Sequence, residues 1–136
     1  MSDPIYIDAR EKWNDTGLRL GKGRVYRFRS EGYWYDVKIR CDATGFKKAS
    51  LRLFEGLRRR KHAKWFSLIG CLDKDEGRQI DIGRLIGRGQ AYTAEDDGQL
   101  FCYANDVWFF YFNNHGQIQL IVEQQTNGER TLVVPQ

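Results

Sequence analysis

The sequence predicts an all-β fold, a two-sheet antiparallel β-sandwich of jelly-roll type. Three observations carry this reading. Fourteen glycines stand against two prolines, the apolar runs are short and rich in β-branched and aromatic residues, and nearly every run ends at an Asn, Asp or Gly turn signal. At 136 residues the chain has the size of one domain, 1–136, large enough to bury about two thirds of its unfolded surface. Aromatic residues at 14% exclude a disordered chain, whose composition is aromatic-poor.

Taken in order, Ile5-Tyr6-Ile7-Asp8-Ala9 alternates as a first strand, and Trp13-Asn14-Asp15-Thr16-Gly17 reads as a loop with Asx-turn chemistry. Leu18 to Gly23 ends in a Gly-Lys-Gly turn. Val25-Tyr26-Arg27-Phe28-Arg29 alternates apolar and basic residues with period two, the pattern of a half-buried strand. After Ser30-Glu31-Gly32, a strand is expected from Tyr33 to Ile39. Asp36 interrupts its aromatic run and either faces solvent, the ordinary outcome, or points into a shared site.

Beyond the polar connection Asp42 to Gly45, residues 47–64 hold eight basic side chains against Glu55 alone, a local net of +7 in a chain of +4. Leu51, Phe54 and Leu57 fall at helical spacing, so Ala49 to Arg60 is expected as a short basic helix or loop insert. Its charges, with Arg58, Arg59, Arg60, Lys61 and Lys64 at their densest, either form a solvated face or grip phosphates of nucleic acid or an anionic surface. Trp65 to Leu72 then reads as a central strand, apolar on both faces. Asp73-Lys74-Asp75-Glu76-Gly77 resembles a calcium loop only in passing. Its glycine comes one position early, and Arg84 stands where the twelfth-position Glu belongs.

Ile80-Asp81-Ile82-Gly83 and the glycine-rich Leu85 to Gln90 follow. No Gly-Lys-Ser/Thr closes the second stretch and no clear helix comes after it, so it fails as a phosphate loop. Tyr92 to Gly98 ends in an Asp-Gly turn before Leu100 to Tyr103. Ile118 to Val122, an Asn127-Gly128 turn and a closing strand Thr131 to Val134 complete the chain. Loops of a sandwich cluster at its ends, which is how residues near 36 can meet residues near 106.

No run reaches the roughly 18 apolar residues of a membrane span, and Met-Ser-Asp-Pro lacks the regions of a signal peptide. The expectation is a soluble, cytoplasmic protein. Cys41, Cys71 and Cys102 are an odd number without close pairing, which predicts buried free thiols rather than disulfides or zinc. The two histidines, His62 and His115, sit in no metal spacing. No Gly-x-Ser-x-Gly elbow or matched carboxylate pair gives a positive signal for catalysis, so an enzyme is not expected.

The stretch most able to carry chemistry is Asn105 to Gly116, between the runs Leu100–Tyr103 and Ile118–Val122. It concentrates one carboxylate and three primary amides. Crowded oxygen donors suit a hard cation, calcium above all. The same residues also serve an ordinary hairpin connection.

At this loop the sequence resembles the small bacterial calcium-dependent galactose-binding lectins: Leu100-Phe101-Cys102-Tyr103-Ala104-Asn105-Asp106, a short aromatic segment, then Asn113-Asn114-His115-Gly116-Gln117-Ile118. A weaker likeness runs from Trp13 to Leu18 and on to Gly32-Tyr33. The resemblance implies a galactose-binding-domain-like jelly roll with one Ca²⁺ ion. Its ligands would be the Asp106 carboxylate, the Asn113 and Asn114 side-chain oxygens, and backbone carbonyls at Phe110 and near Asp36. It further implies a galactose-like carbohydrate ligand contacting Asp106, Val107, Trp108, Asn113 and Asn114, with His62 as a stand-in for a polar contact, and a homo-oligomer. The bulk of Trp108-Phe109-Phe110 departs from that pattern and bears on the sugar pocket. The other reading is a metal-free interaction module using the basic 47–64 patch.

Overall fold

The computed structural model describes residues 4–46, 58–60, 62–107 and 110–135. Its strands are β1 (Ile5–Asp8), β2 (Asn14–Leu20), β3 (Val25–Glu31), β4 (Trp34–Asp36), β5 (Ile39–Cys41), β6 (Leu68–Leu72) and β7 (Gln79–Asp81). After helix α1 (Ile82–Arg88) come β8 (Tyr92–Thr93), β9 (Gly98–Ala104), β10 (Asn114–Thr126) and β11 (Glu129–Leu132). They form two antiparallel sheets facing one another, as the turn-punctuated sequence predicts.

The first sheet is built on β10, thirteen residues long. One flank of β10 pairs with β3 and then β4 in an unbroken register, from Gln125 opposite Val25 to Asn114 opposite Asp36. In effect β3 and β4 are one strand bent at Gly32, where φ is +93°. The other flank takes β1 and β11. The second sheet has the order β2-β9-β6-β7.

Between the sheets lies the main core, including Ile7, Leu18, Leu20, Phe28, Leu68, Leu72, Leu100, Ile118, Leu120 and Val122. Each such side chain contributes about 1.5 to 3 kcal/mol relative to exposure. A second cluster lies on the outer face of the second sheet, where Ile69, Cys71, Tyr103 and Tyr111 pack with Ala63. This is why β6 is apolar throughout: Leu68 and Leu72 face the sandwich, while Ile69 and Cys71 pack with Ala63, Tyr103 and Tyr111.

Three local expectations are corrected. Asn14 to Gly17 is strand, not loop. The expected Asx chemistry is present, since the Gly17 N–H donates to Asp15 Oδ1 at 2.9 Å, but it forms a bulge inside β2, where the register shifts between Asp15 and Arg19. Tyr33 to Ile39 is not one strand but the hairpin of β4 and β5, turned at Val37 with φ +53°. The third is α1, in a stretch to which the sequence reading assigns no helix. Asp81 caps it by accepting the Arg84 N–H at 3.1 Å, Gly89 ends it in the left-handed conformation, and Ile82 is buried in the core. Capping and burial outweigh the weak helix propensity of a segment containing Gly83 and Gly87.

The expected helix from Ala49 to Arg60 lies outside the described residues except at its end. The three cysteines are buried and free. Burial pushes the Cys41 and Cys71 thiols up to about 12, so neither is a reactive thiolate at neutral pH. No described helix is long and apolar enough to cross a membrane.

Candidate metal centre

Strand β9 delivers Asn105 and Asp106 to one end of the sandwich, and a 3₁₀ turn over Tyr111–Asn113 leads into β10 at Asn114. The β10–β4 register sets Asn114 opposite Asp36. The loop from 105 to 114 and the distant β4 thus meet at one end of the sandwich.

The chemistry is that of unused oxygen. Asp106 is 2% exposed; its Oδ1 accepts the Val107 N–H at 2.7 Å, while Oδ2 has no hydrogen-bond partner. Asn114 donates from Nδ2 to the Ala9 carbonyl at 3.0 Å, which turns its buried and likewise unpartnered Oδ1 the other way. Asn113 Oδ1 is the third such atom. The Asn113 carbonyl accepts the Val37 N–H at 3.2 Å, so the β4–β5 turn and the acceptor loop hold one another.

A buried acceptor left unmade costs about 1 to 3 kcal/mol, so three such oxygens between residues 106 and 114 need an explanation. A hard cation provides one, because carboxylate, carboxamide and backbone carbonyl oxygens are its preferred donors. The residues therefore fit calcium in the chemistry of their donor set. Phe110 adds a backbone carbonyl that accepts the Asn113 N–H at 3.3 Å. No cluster of three or more His, Cys, Asp or Glu side chains forms among the described residues.

The electrostatics agree. Burial pushes the Asp106 carboxyl from 3.8 up to about 6, and Asp36 adds to the rise, while the Val107 N–H and the Asn114 carboxamide oppose it. Asp36, whose ordinary fate in an alternating strand is solvent, is instead half-buried and within electrostatic reach of Asp106.

Asn105 organises the loop from behind. Its Oδ1 accepts the Arg60 N–H at 2.9 Å, and its Nδ2 donates to the carbonyls of Arg60, Ala63 and Lys64. The Arg59 N–H donates to the Asp106 carbonyl at 3.0 Å. The described end of the basic insert is thus docked on the acceptor loop, which its composition did not reveal.

Of the basic residues, Arg58 donates to the Ala63 carbonyl and lies over the Trp65 ring, and Arg60 donates to Gln79. The Arg59 guanidinium is buried against Tyr103. Lys61, Trp108 and Phe109 lie outside the described residues. Val107 is buried and bridges to Arg58. His62 and Lys64 are exposed and line a depression beside α1 that includes none of the acceptor residues. His115, expected in the loop, is in β10, its ring stacked on Tyr35 at 4.7 Å.

Neither a family model nor a curated protein sequence matches the chain. In three dimensions it is similar to the N-terminal domain of EclA, a PllA-like lectin, with a TM-score of 0.63 and 14% identity, over 90% of this chain and 95% of that one. Such a likeness is one of fold, and the chain accordingly carries a lectin-like β-sandwich.

Proposed function

We propose that the protein is a non-catalytic, lectin-like carbohydrate-binding module that works through calcium. Asp106, Asn113 and Asn114 hold the ion by their side-chain oxygens, helped by the backbone carbonyls of Phe110 and Asp36. Bound there, calcium supplies open coordination positions to a vicinal sugar diol of galactose type. The observation that carries the reading is the set of three buried, unpartnered oxygens at Asp106, Asn113 and Asn114. Phe112, 70% exposed next to Asn113, offers a ring to the apolar face of a pyranose.

The competing reading, a metal-free module working through Arg58, Arg59, Arg60, Lys61 and Lys64, has less to draw on. The three arginines use guanidinium donors on the protein itself. Calorimetric titration with CaCl₂ tests the proposal. The wild type is expected to take up calcium and then to be retained on immobilised galactose until a chelator is added. Asp106→Ala is expected to keep the fold and do neither. No calcium uptake by the wild type at millimolar metal would remove the idea.

A further inference from the structure

We propose a second binding site, for a sulfate or phosphate monoester, in the depression of about 330 Å³ between α1 and the 62–67 turn. Lys64, Arg84 and Arg88 line it, together with His62. None of the three cations takes part in an ion pair among the described residues, whose pairs are Arg29–Glu123, Arg59–Glu76 and those of Arg78 with Asp73 and Asp75. Asp81 is the one carboxylate in the lining, and its Oδ1 is already engaged by the Ser67 hydroxyl at 2.7 Å and by the Arg84 N–H.

The helix is arranged against its own stability here. Arg84 and Arg88 are four apart on a seven-residue helix, a spacing at which like charges repel. The macrodipole favours Arg88 in the last turn but opposes Arg84 in the first, which contains no acidic residue. An oxyanion seated between the two guanidinium groups and Lys64 turns this repulsion into charge-assisted hydrogen bonding.

Glycine shapes the space. A Cβ on Gly83 would lie 2.2 Å from both the Ala43 carbonyl and Ser67 Oγ, so only glycine lets α1 press onto the sheet edge. Gly87, between the two arginines, puts no side chain into the opening, where its nearest neighbour is Thr44. The depression suits one small ester group, and it shares no residue with the calcium ligands of the proposed function, on which it does not depend.

The test is an amide chemical-shift titration of ¹⁵N-labelled protein in chelator, with sodium sulfate, sodium phosphate, galactose 6-sulfate and galactose 6-phosphate as probes. Sodium chloride at matched ionic strength is the control. Saturable shifts centred on Ser67, Gly83, Arg84, Gly87 and Arg88 are expected, with millimolar affinity for at least one oxyanion. The stronger ester identifies the source of the group. The R84Q/R88Q double variant is expected to bind at least tenfold more weakly while melting no lower than the wild type. K64Q, away from the helix, is expected to weaken binding about threefold. Shifts that rise linearly and are matched by chloride, or variants that bind the probes as the wild type does, would overturn the proposal.

Discussion

Two buried charged residues, joined by a backbone hydrogen bond, are treated in opposite ways in this molecule. The Arg59 guanidinium is 4% exposed, 3.3 Å from the centroid of the Tyr103 ring and 4.6 Å from that of Trp13. It donates to the Lys12 carbonyl at 2.6 Å, to the Tyr111 hydroxyl at 2.9 Å and to Glu76 at 3.4 Å. Asp106, whose carbonyl accepts the Arg59 N–H, is as deeply buried, and its Oδ2 has no hydrogen-bond partner among the described residues, where the Asn114 carboxamide is the one side chain nearby that favours its charge. Taking either charge from water costs several kcal/mol. Around Arg59 the protein's own acceptors and rings offset that cost, and the residue acts as a staple for residues 58–60. Around Asp106 the protein's own groups do not, and that deficit is the ground on which the calcium proposal rests.

The largest effect expected from this contrast is at the staple. Arg59→Ala should lose about 3 to 4 kcal/mol in urea unfolding, from the desolvated cation–π contacts and charge-assisted hydrogen bonds together. A loss under about 1 kcal/mol would mean that Arg59 is a passenger, and the contrast would break.

Next comes Asn105→Ala, which removes the side-chain bonds from the residue after β9 to Arg60, Ala63 and Lys64. About 2 to 3 kcal/mol is expected, together with faster hydrogen exchange at the Arg60 amide.

Asp106→Asn should act in the opposite sense. Because the folded carboxyl titrates near 6 rather than 3.8, the unfolded chain releases a proton over that interval while the folded chain keeps it. The metal-free wild type therefore loses stability as pH rises from 3.8 towards 6, and the loss persists above. At pH 7 the metal-free variant is expected to be more stable by on the order of 1 to 2 kcal/mol. It should also lose the calcium-dependent gain, which for the wild type is about 2.7 kcal/mol at a hundred times the Kd. A variant that melts lower than the wild type without metal would show the Asp106 charge to be compensated after all.

The smallest effect is expected at a charge pair whose cation stays in water. Arg29 and Glu123 meet at 3.1 Å with the Arg29 side chain 58% exposed. Arg29→Gln should shift stability by no more than about 0.5 kcal/mol. It sets the scale against which the two buried charges are judged.

How far each part was legible depends on the range of the interactions that decide it. The period-two alternation of β3, the apolar run of β6 and the Asn127-Gly128 turn are local patterns, and the strands fall on them. The break at Val37 was not legible, because the turn is held by a bond from Val37 to the Asn113 carbonyl. Helix α1 was hidden by its glycines, which read as turn signals until Gly83 is seen pressed against Ala43 and Ser67. Arg84 and Arg88 carried one local signal, their spacing of four, visible only once the segment is known to be helical.

At the candidate site the division is sharper. Composition alone placed Asp106, Asn113 and Asn114 in one loop and made oxygen its chemistry, since side-chain type does not depend on folding. Whether those oxygens would turn to solvent, to backbone N–H groups or to nothing was decided in three dimensions. There, Ala9 draws the Asn114 amide nitrogen, β4 brings Asp36 alongside, and Arg59 and Arg60 dock on the loop. Burial and the direction of a lone pair are properties of neighbours far along the chain, so the sequence determines which atoms are available and only the packed fold determines which of them are left over.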